Sequence, residues 1–258
     1  MPDNLAVTAD ETLDPGGVLP GPLYAEVKKR ITRSLMEGEW PQGAAIPTES
    51  QFARRYAVSV GTVRKAIGEL VAERVLVRRR GRGTFVASRN RDYMLDTYFR
   101  IVDDTGRKEF PETRLISFRR GKADAVVAQR LQLMRGAPVY RIENLLFLQD
   151  QSVIFDRMVV PQAVFPDLRE AAFRRRGMTI FGYYQTRFGI TVTRVEEWVR
   201  AVNADSKLAA ALGIAAGEAV LAIERVAYTY DGTPVELRHR RVSTRSHAYF
   251  SVLGMKQA

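Results

Sequence analysis

The chain has no cysteine, only two histidines, His239 and His247, and no unbroken apolar run of the roughly 20 residues that a membrane span requires. The first absence excludes disulfides and thiolate metal sites. The second leaves too few imidazoles for a histidine-rich metal centre. Residues 1–20 hold four acidic side chains, Asp3, Asp10, Glu11 and Asp14, and no basic one. A secretory signal needs a basic start followed by an apolar stretch, so this leader reads as a disordered, acidic segment and the chain as cytoplasmic. No cofactor is expected.

What the sequence has in excess is positive charge, and it is unevenly placed. The net charge is +11 over 258 residues. Residues 21–92 hold 15 Lys and Arg against 7 Asp and Glu, whereas residues 93–258 hold 25 against 18. A dense basic excess in one short segment points to a polyanion partner. An anionic membrane surface is the competing partner, but no helix carries the apolar aromatic stripe that would lie in it.

Residues 59–70 place Val63, Ile67 and Leu70 on one helical face, with Ala66 and Val71 beside them. The opposite face carries Gly61, Arg64, Lys65 and Gly68, a low, basic surface able to enter a DNA major groove. Upstream, Leu23, Val27, Ile31 and Leu35 recur every four residues, and Gly38 ends that helix. Thr48-Glu49-Ser50-Gln51 fits a capping box opening a short helix, with Phe52, Ala53 and Tyr56 inward and Arg54 and Arg55 outward. Ala57-Val58 is the turn and Ser59 the second N-cap, which together make a helix-turn-helix. Two short β-prone runs then flank Arg78-Arg79-Arg80-Gly81-Arg82-Gly83. That is a hairpin whose glycines permit close approach to DNA and whose Arg80 or Arg82 fits a minor groove.

Residues 98–250 contain an internal repeat offset by 81 positions. Asp124 matches Asp205, Leu131 matches Leu212, Gly136 matches Gly217, Val139 matches Val220, Ile142-Glu143 matches Ile223-Glu224, and Asp150 matches Asp231. Each copy reads as an Asp-capped helix, a glycine turn, a strand, a hairpin turn at Asp150-Gln151 or Asp231-Gly232, and a return strand. Between the copies, 179–188 reads as a helix with Ile180, Phe181 and Tyr184 inward, and 190–202 as a strand. The expectation is an α+β chain of two domains, with the C-terminal antiparallel sheet carrying its helices on one side. The spans are a leader over 1–20, a DNA-binding domain over 21–87, a polar linker over 88–97, and a second domain over 98–252.

Residues 22–87 resemble the winged helix-turn-helix of GntR-type bacterial transcription regulators. The resemblance rests on Pro22-Leu23-Tyr24, Ile46-Pro47-Thr48-Glu49, Tyr56-Ala57-Val58-Ser59, Thr62-Val63-Arg64-Lys65-Ala66 and Gly81-Arg82-Gly83-Thr84-Phe85-Val86. It implies DNA contacts from Ser59, Thr62, Arg64 and Gly81. Together with the residues read above, the DNA-binding set is Thr48, Ser50, Arg54, Ser59, Val60, Gly61, Thr62, Arg64, Lys65, Arg80, Gly81 and Arg82. Family members often carry Arg where Val60 stands, and Arg or another polar residue where Ser50 stands. Val60 donates no hydrogen bond but can touch a thymine methyl.

The C-terminal half is similar to the UTRA effector-binding domain of HutC-type members, which resembles the chorismate-lyase fold. Ile142-Glu143, Pro161, Phe165-Pro166, Thr179-Ile180-Phe181 and residues 231–236 carry that resemblance. It implies an effector site at Phe99, Arg100, Asn144, Leu146, Thr179, Phe181 and Glu236. Asn144 and Leu146 stand where sugar-phosphate-responsive members have arginines, and Phe181 where they have a tyrosine, so the effector is expected not to be a phosphosugar. Arg100 would pair with an effector carboxylate, or is a surface charge near the linker. Glu236 would accept from effector hydroxyl or amine groups, or partners Arg238 or Arg240. The function implied is that of a homodimeric repressor reading an inverted repeat in double-stranded DNA under control of a small molecule. The competing readings are a tethered chorismate-lyase-like enzyme and a non-specific nucleic-acid-binding module.

Overall fold

The computed structural model describes residues 22–73, 75–87 and 91–252. The acidic leader assigned to 1–20 lies outside them. The chain divides into two compact units, 1–88 and 89–258.

In the first unit, α1 (Leu23–Met36) buries Val27, Ile31 and Leu35, while Leu23 at the start of the same stripe stays exposed. The second helix, α2 (Glu49–Arg55), opens on the expected capping box. The Gln51 amide donates to Thr48 Oγ1 at 3.3 Å, and the Thr48 amide donates to Gln51 Oε1 at 2.8 Å. Each bond satisfies an N–H that the helix start leaves unpaired. Ala57 takes a left-handed φ of 52° in the turn, and Ser59 caps α3 (Val60–Ala72) by accepting from the Thr62 amide at 3.1 Å. Val63, Ala66, Ile67 and Leu70 face inward. Phe52 is the centre of this core, edge-on to Trp40 and stacked on Tyr56, with both ring centroids 5.5 Å away. Lys28 of α1 bridges Glu69 and Glu73 of α3 at 3.0 and 2.6 Å.

The hairpin is β1 (Leu76–Arg79) and β2 (Gly83–Val86), antiparallel, with Leu76 opposite Val86. Its free edge is taken by the segment before α2. Ile46 N donates to Thr84 O at 3.0 Å and Val86 N to Ala44 O at 2.9 Å. The wing is thereby tied to the helix-turn-helix through backbone bonds that the sequence pattern did not predict.

The second unit begins with α4 (Arg91–Tyr98), a helix where composition suggested an irregular linker. Its Met94 and Tyr98 are buried, and burying that apolar pair drives helix formation in an otherwise polar stretch. Then come β3 (Ile101–Asp103), β4 (Glu112–Lys122), α5 (Ala125–Arg130), β5 (Pro138–Leu148), β6 (Gln151–Pro161), α6 (Glu170–Arg174), α7 (Ile180–Phe188), β7 (Arg194–Asn203), α8 (Ser206–Leu212), β8 (Ala219–Tyr228), β9 (Pro234–Ser243) and β10 (His247–Tyr249). Strands β4 to β9 form one antiparallel sheet in the order β4-β5-β6-β9-β8-β7, and β3 pairs with β10.

The repeat governs this topology. Asp124 and Asp205 cap α5 and α8, accepting from the Val127 and Leu208 amides at 2.9 and 2.7 Å. Gly136 and Gly217 adopt φ of 86° and 84°, donating back to the Ala123 and Ala204 carbonyls. Each copy is strand, helix, hairpin, and β6 joins β9 at the middle of the sheet. The strand that opens each copy, β4 or β7, was outside the repeat as read from sequence, and β7 begins four residues later than expected. The first hairpin turn is Gln149-Asp150, one residue earlier than expected. Both residues sit at positive φ, 47° and 60°, as a tight two-residue hairpin requires.

The helices cover both faces of the sheet, not one. Helices α5 and α8 pack on the face carrying Val139, Phe155, Val159 and Leu237. Helices α4, α6 and α7 pack on the other, against Ile142, Met158 and Val160. The aromatic residues of α7 and its approach explain this. Phe165, Phe173, Phe181 and Tyr184 are too bulky and numerous to be buried except under a second layer. Replacing Asp205 with Ala is expected to cost about 1 kcal/mol in urea unfolding, because the Leu208 amide loses its side-chain cap.

Candidate functional site

On the first unit, the exposed start of α3 and the wing tip form the candidate DNA surface. Ser59, Val60, Gly61, Arg64 and Lys65 are exposed, Thr62 is half-buried, and Thr48, Ser50 and Arg54 are exposed on and before α2. A Cβ on Gly61 would meet nothing nearer than Ser59 Oγ at 3.7 Å, so the glycine fills no internal need and leaves room outward. Arg80, Gly81 and Arg82 are exposed at the wing tip, where Gly81 and Gly83 have φ of 69° and 107°. Only residues tolerant of the left-handed region close the turn this way.

The side chains of this surface are held in position. Arg64 Nε lies 2.8 Å from Glu49 Oε2, and Arg78 Nη2 lies 3.1 Å from Glu49 Oε1. One carboxylate at the start of α2 thus ties the exposed face of α3 to the wing. The Lys65 ammonium sits 3.7 Å above the Tyr24 ring, and the Arg79 guanidinium 4.7 Å above Phe85. Sequence reading placed Glu49 in the capping box and Arg78 in the wing but did not pair them, because the bonds span 15 residues to Arg64 and 29 to Arg78.

On the second unit, a cavity of about 400 Å³ opens on the sheet face covered by α4, α6 and α7. Phe99, Leu146, Thr179 and Phe181 line it, as expected. Arg100, Asn144 and Glu236 do not. The Arg100 carbonyl accepts from Phe250 N at 2.7 Å in the β3–β10 layer, and its charge acts on the Tyr249 hydroxyl. Asn144 is fully buried; its amide donates to Met158 Sδ at 3.3 Å, and Oδ1 has no hydrogen-bond partner among the described residues. Glu236 is also fully buried and is the partner of Arg238, accepting from its Nε and Nη2 at 2.7 and 2.8 Å and from Tyr184 Oη at 2.6 Å. Glu236 thus forms the ion pair with Arg238 that was its alternative role, and it does not line the cavity.

The charged groups that do line the cavity are Arg174, Arg176, Arg225, Arg238 and Arg240. Asp156 lies beneath them at 0 % exposure. It accepts from Arg240 Nε at 2.8 Å and Nη2 at 3.3 Å, and from Arg238 Nη1 at 3.3 Å. Arg225 donates from Nε to Glu197 at 2.8 Å and from Nη2 to the Tyr98 carbonyl, the last of α4, at 2.5 Å. Burial opposes charge on Arg238, yet Glu236 and Asp156 outweigh it and raise its pKa above arginine's ordinary value. Burial lowers that of Arg240, with Asp156 opposing and Arg225 and Arg238 reinforcing. Burial and the neighbouring Glu236 push the Tyr184 hydroxyl well up, keeping it a donor.

Two family models match. The model described as bacterial regulatory proteins, gntR family, covers residues 23–86, and the UTRA domain covers 106–247, more than half the chain. The chain belongs to the GntR family. Its HutC-type architecture, a winged helix-turn-helix followed by a UTRA domain, is that of a DNA-binding transcription regulator with an effector-binding domain. The histidine utilization repressor of Pseudomonas aeruginosa is 30% identical over 81% of this GntR chain and 82% of its own. The HTH-type transcriptional regulator YurK of Bacillus subtilis is 29% identical over 83% and 88%. Among solved structures, the ligand-binding domain of a GntR-family regulator from Bordetella bronchiseptica superposes with a TM-score of 0.58 at 27% identity, covering 61% of this chain and 98% of that one. Among the described residues no helix is long and apolar enough to cross a membrane, and no three His, Asp or Glu gather to hold a metal.

Proposed function

We propose that this regulator is a cytoplasmic homodimeric repressor that binds an inverted repeat and leaves it when a small molecule fills the UTRA cavity. The observation that carries the reading is the pairing of an exposed, glycine-opened recognition helix and basic wing with a separate, cation-lined cavity. One α3 helix spans only part of an operator, so two copies reading half-sites follow from geometry. Ser59, Val60, Gly61 and Thr62 meet base edges, while Arg54, Arg64, Lys65, Arg80 and Arg82 hold phosphates and the minor groove. The relatives are named as regulators, which supports binding of the effector without turnover.

Anisotropy titration against the chain's own upstream DNA tests this. Affinity for the operator should exceed that for unrelated duplex by roughly 10³-fold or more at one salt concentration. Its logarithm should fall linearly with the logarithm of salt, with a slope of about 0.9 per phosphate neutralised. An effector can shift operator affinity only by its preference between the two states. A molecule that saturates the cavity and leaves operator affinity unchanged would refute the coupling.

A further inference from the structure

The cavity's charge count names the kind of molecule it takes. Four of its guanidinium groups, Arg176, Arg225, Arg238 and Arg240, face three buried or half-buried carboxylates, Asp156, Glu197 and Glu236. Arg174 stands at the rim, compensated by Glu170 at 2.7 Å. One positive charge is left over, and its location is specific. Arg238 is engaged at all three nitrogens by Glu236 and Asp156, and Arg225 and Arg240 each hold a carboxylate. Arg176 holds none. Its Nη1 donates to the Phe173 carbonyl at 2.9 Å, and its buried Nε has no partner among the described residues. Burial lowers its pKa, with Tyr184 and Tyr183 opposing and Arg238 reinforcing. The side chain is half-buried, with its guanidinium 4.5 Å from the Phe173 centroid, and a buried N–H left without an acceptor is costly unless something else completes it.

The surroundings narrow the anion. Residues 176–181 run along the cavity wall into the first turn of α7, whose Thr179 cap directs the helix's positive end toward the same side. The rest of the lining is largely apolar, with the rings of Tyr98, Phe99, Phe110 and Phe181 beside Met94, Pro111 and Leu146. Two of these rings are already stacked by floor arginines. Arg238 lies 5.8 Å from the Phe181 centroid and Arg240 5.6 Å from that of Phe99. Among the described residues no acidic side chain lines the cavity. A ligand rich in hydroxyls or bearing an ammonium would find donors and rings, but no carboxylate to accept from it. One net charge suits a monoanion better than a dianion.

We propose that the effector is a monocarboxylate with a flat, largely apolar body, its carboxylate on Arg176 and the start of α7 and its body between the aromatic walls. The anion therefore sits at the α7 end of the cavity, not on β5, where Asn144 and Leu146 offer no cation. The proposal rests on the cavity being the effector site.

Isothermal titration of the full chain with 3-phenylpropanoate, its neutral counterpart 3-phenylpropan-1-ol, glucose 6-phosphate and inorganic phosphate tests it. The carboxylate should bind saturably, at least tenfold more tightly than the alcohol or either phosphate compound. Arg176→Gln should weaken it by tenfold or more, Arg176→Lys should restore part of the loss, and Arg175→Gln, at an exposed residue outside the cavity lining, should change it little. Thermal unfolding of each variant, monitored by circular dichroism, verifies that the unit still folds. Equal binding of the alcohol, tighter binding of a phosphate compound, no binding of the carboxylate below 10 mM (a ceiling of roughly 3 kcal/mol), or indifference to Arg176→Gln would each overturn the proposal. Operator titration of the same samples keeps the outcomes separate. Intact sequence-specific DNA binding with no carboxylate binding refutes the effector class alone, and loss of specific DNA binding refutes the regulator reading.

Discussion

Asp156→Ala should lower the melting temperature of the effector-binding unit by about 6–20 °C, as read by calorimetry. Asp156 is wholly buried and accepts three hydrogen bonds from two arginines that are themselves almost wholly buried. Removing it leaves two cations in the sheet core with only Glu236 to answer them. Stripping one partner from a buried ionic cluster typically costs about 3–5 kcal/mol, and in a unit of this size each kcal/mol moves the midpoint by roughly 2–4 °C. The effect arises from the stranded charges and not from the lost carboxylate itself. Asp156→Ala combined with Arg240→Leu should therefore recover part of the loss. A double variant no more stable than the single would show that packing, not charge, dominates there.

Arg64→Ala should weaken operator binding by roughly 30-fold or more while leaving the melting temperature within a degree or two. The side chain is 65 % exposed, and its ion-pair partner, Glu49, retains Arg78 after the change. An exposed ion pair contributes about 0–1 kcal/mol to folding. A charge-assisted hydrogen bond from the same guanidinium to a phosphate would be worth about 1.5–3 kcal/mol per half-site, and a dimer loses it twice, about 3–6 kcal/mol together. Anisotropy at fixed salt gives the first quantity and circular dichroism the second. Unchanged operator affinity would remove α3 from the interface.

The helices, turn and hairpin of the winged unit were legible from sequence because their caps and turn residues act locally, whereas the bonds that tie the wing to α2 and α3 were not. Thr48 and Gln51, or Ser59 and Thr62, meet within one helical turn. The repeat was legible for the same reason, since Asp caps and turn glycines act within a few residues of themselves. The cavity was not. Arg225, Arg238 and Arg240 come from two strands, Asp156 from a third, and only the pairing of β6, β9 and β8 brings them onto one face. A signal was nonetheless present. Arg238 and Arg240 alternate within a strand that also carries Leu237 and Val242, which marks them as charges that a two-sided sheet must bury. Arg100 was assigned to the effector site from the family resemblance of the Phe99-Arg100 pair, but only Phe99 lines the cavity, while the Arg100 carbonyl accepts from Phe250 N. Linker composition misled in a similar way at α4, where two buried side chains, Met94 and Tyr98, outweigh the polar remainder.

The joint between the two copies has a further meaning. In register, Glu143 faces Arg157 as Glu224 faces His239, so Arg157 and His239 are counterparts and face each other at the seam. On the same reckoning Asp156 corresponds to Arg238 and Met158 to Arg240. A carboxylate in one copy thus stands where the other has the guanidinium it binds. About a true twofold axis position 156 of one chain faces position 158 of the other, so two identical copies of the first half would set Asp156 against a methionine on both sides, with no guanidinium to answer it. Covalent fusion releases the halves from that constraint. One half supplies the anion and the other the cations, so the effector-binding fold builds a polar, one-sided floor at the centre of a pseudo-symmetric sheet.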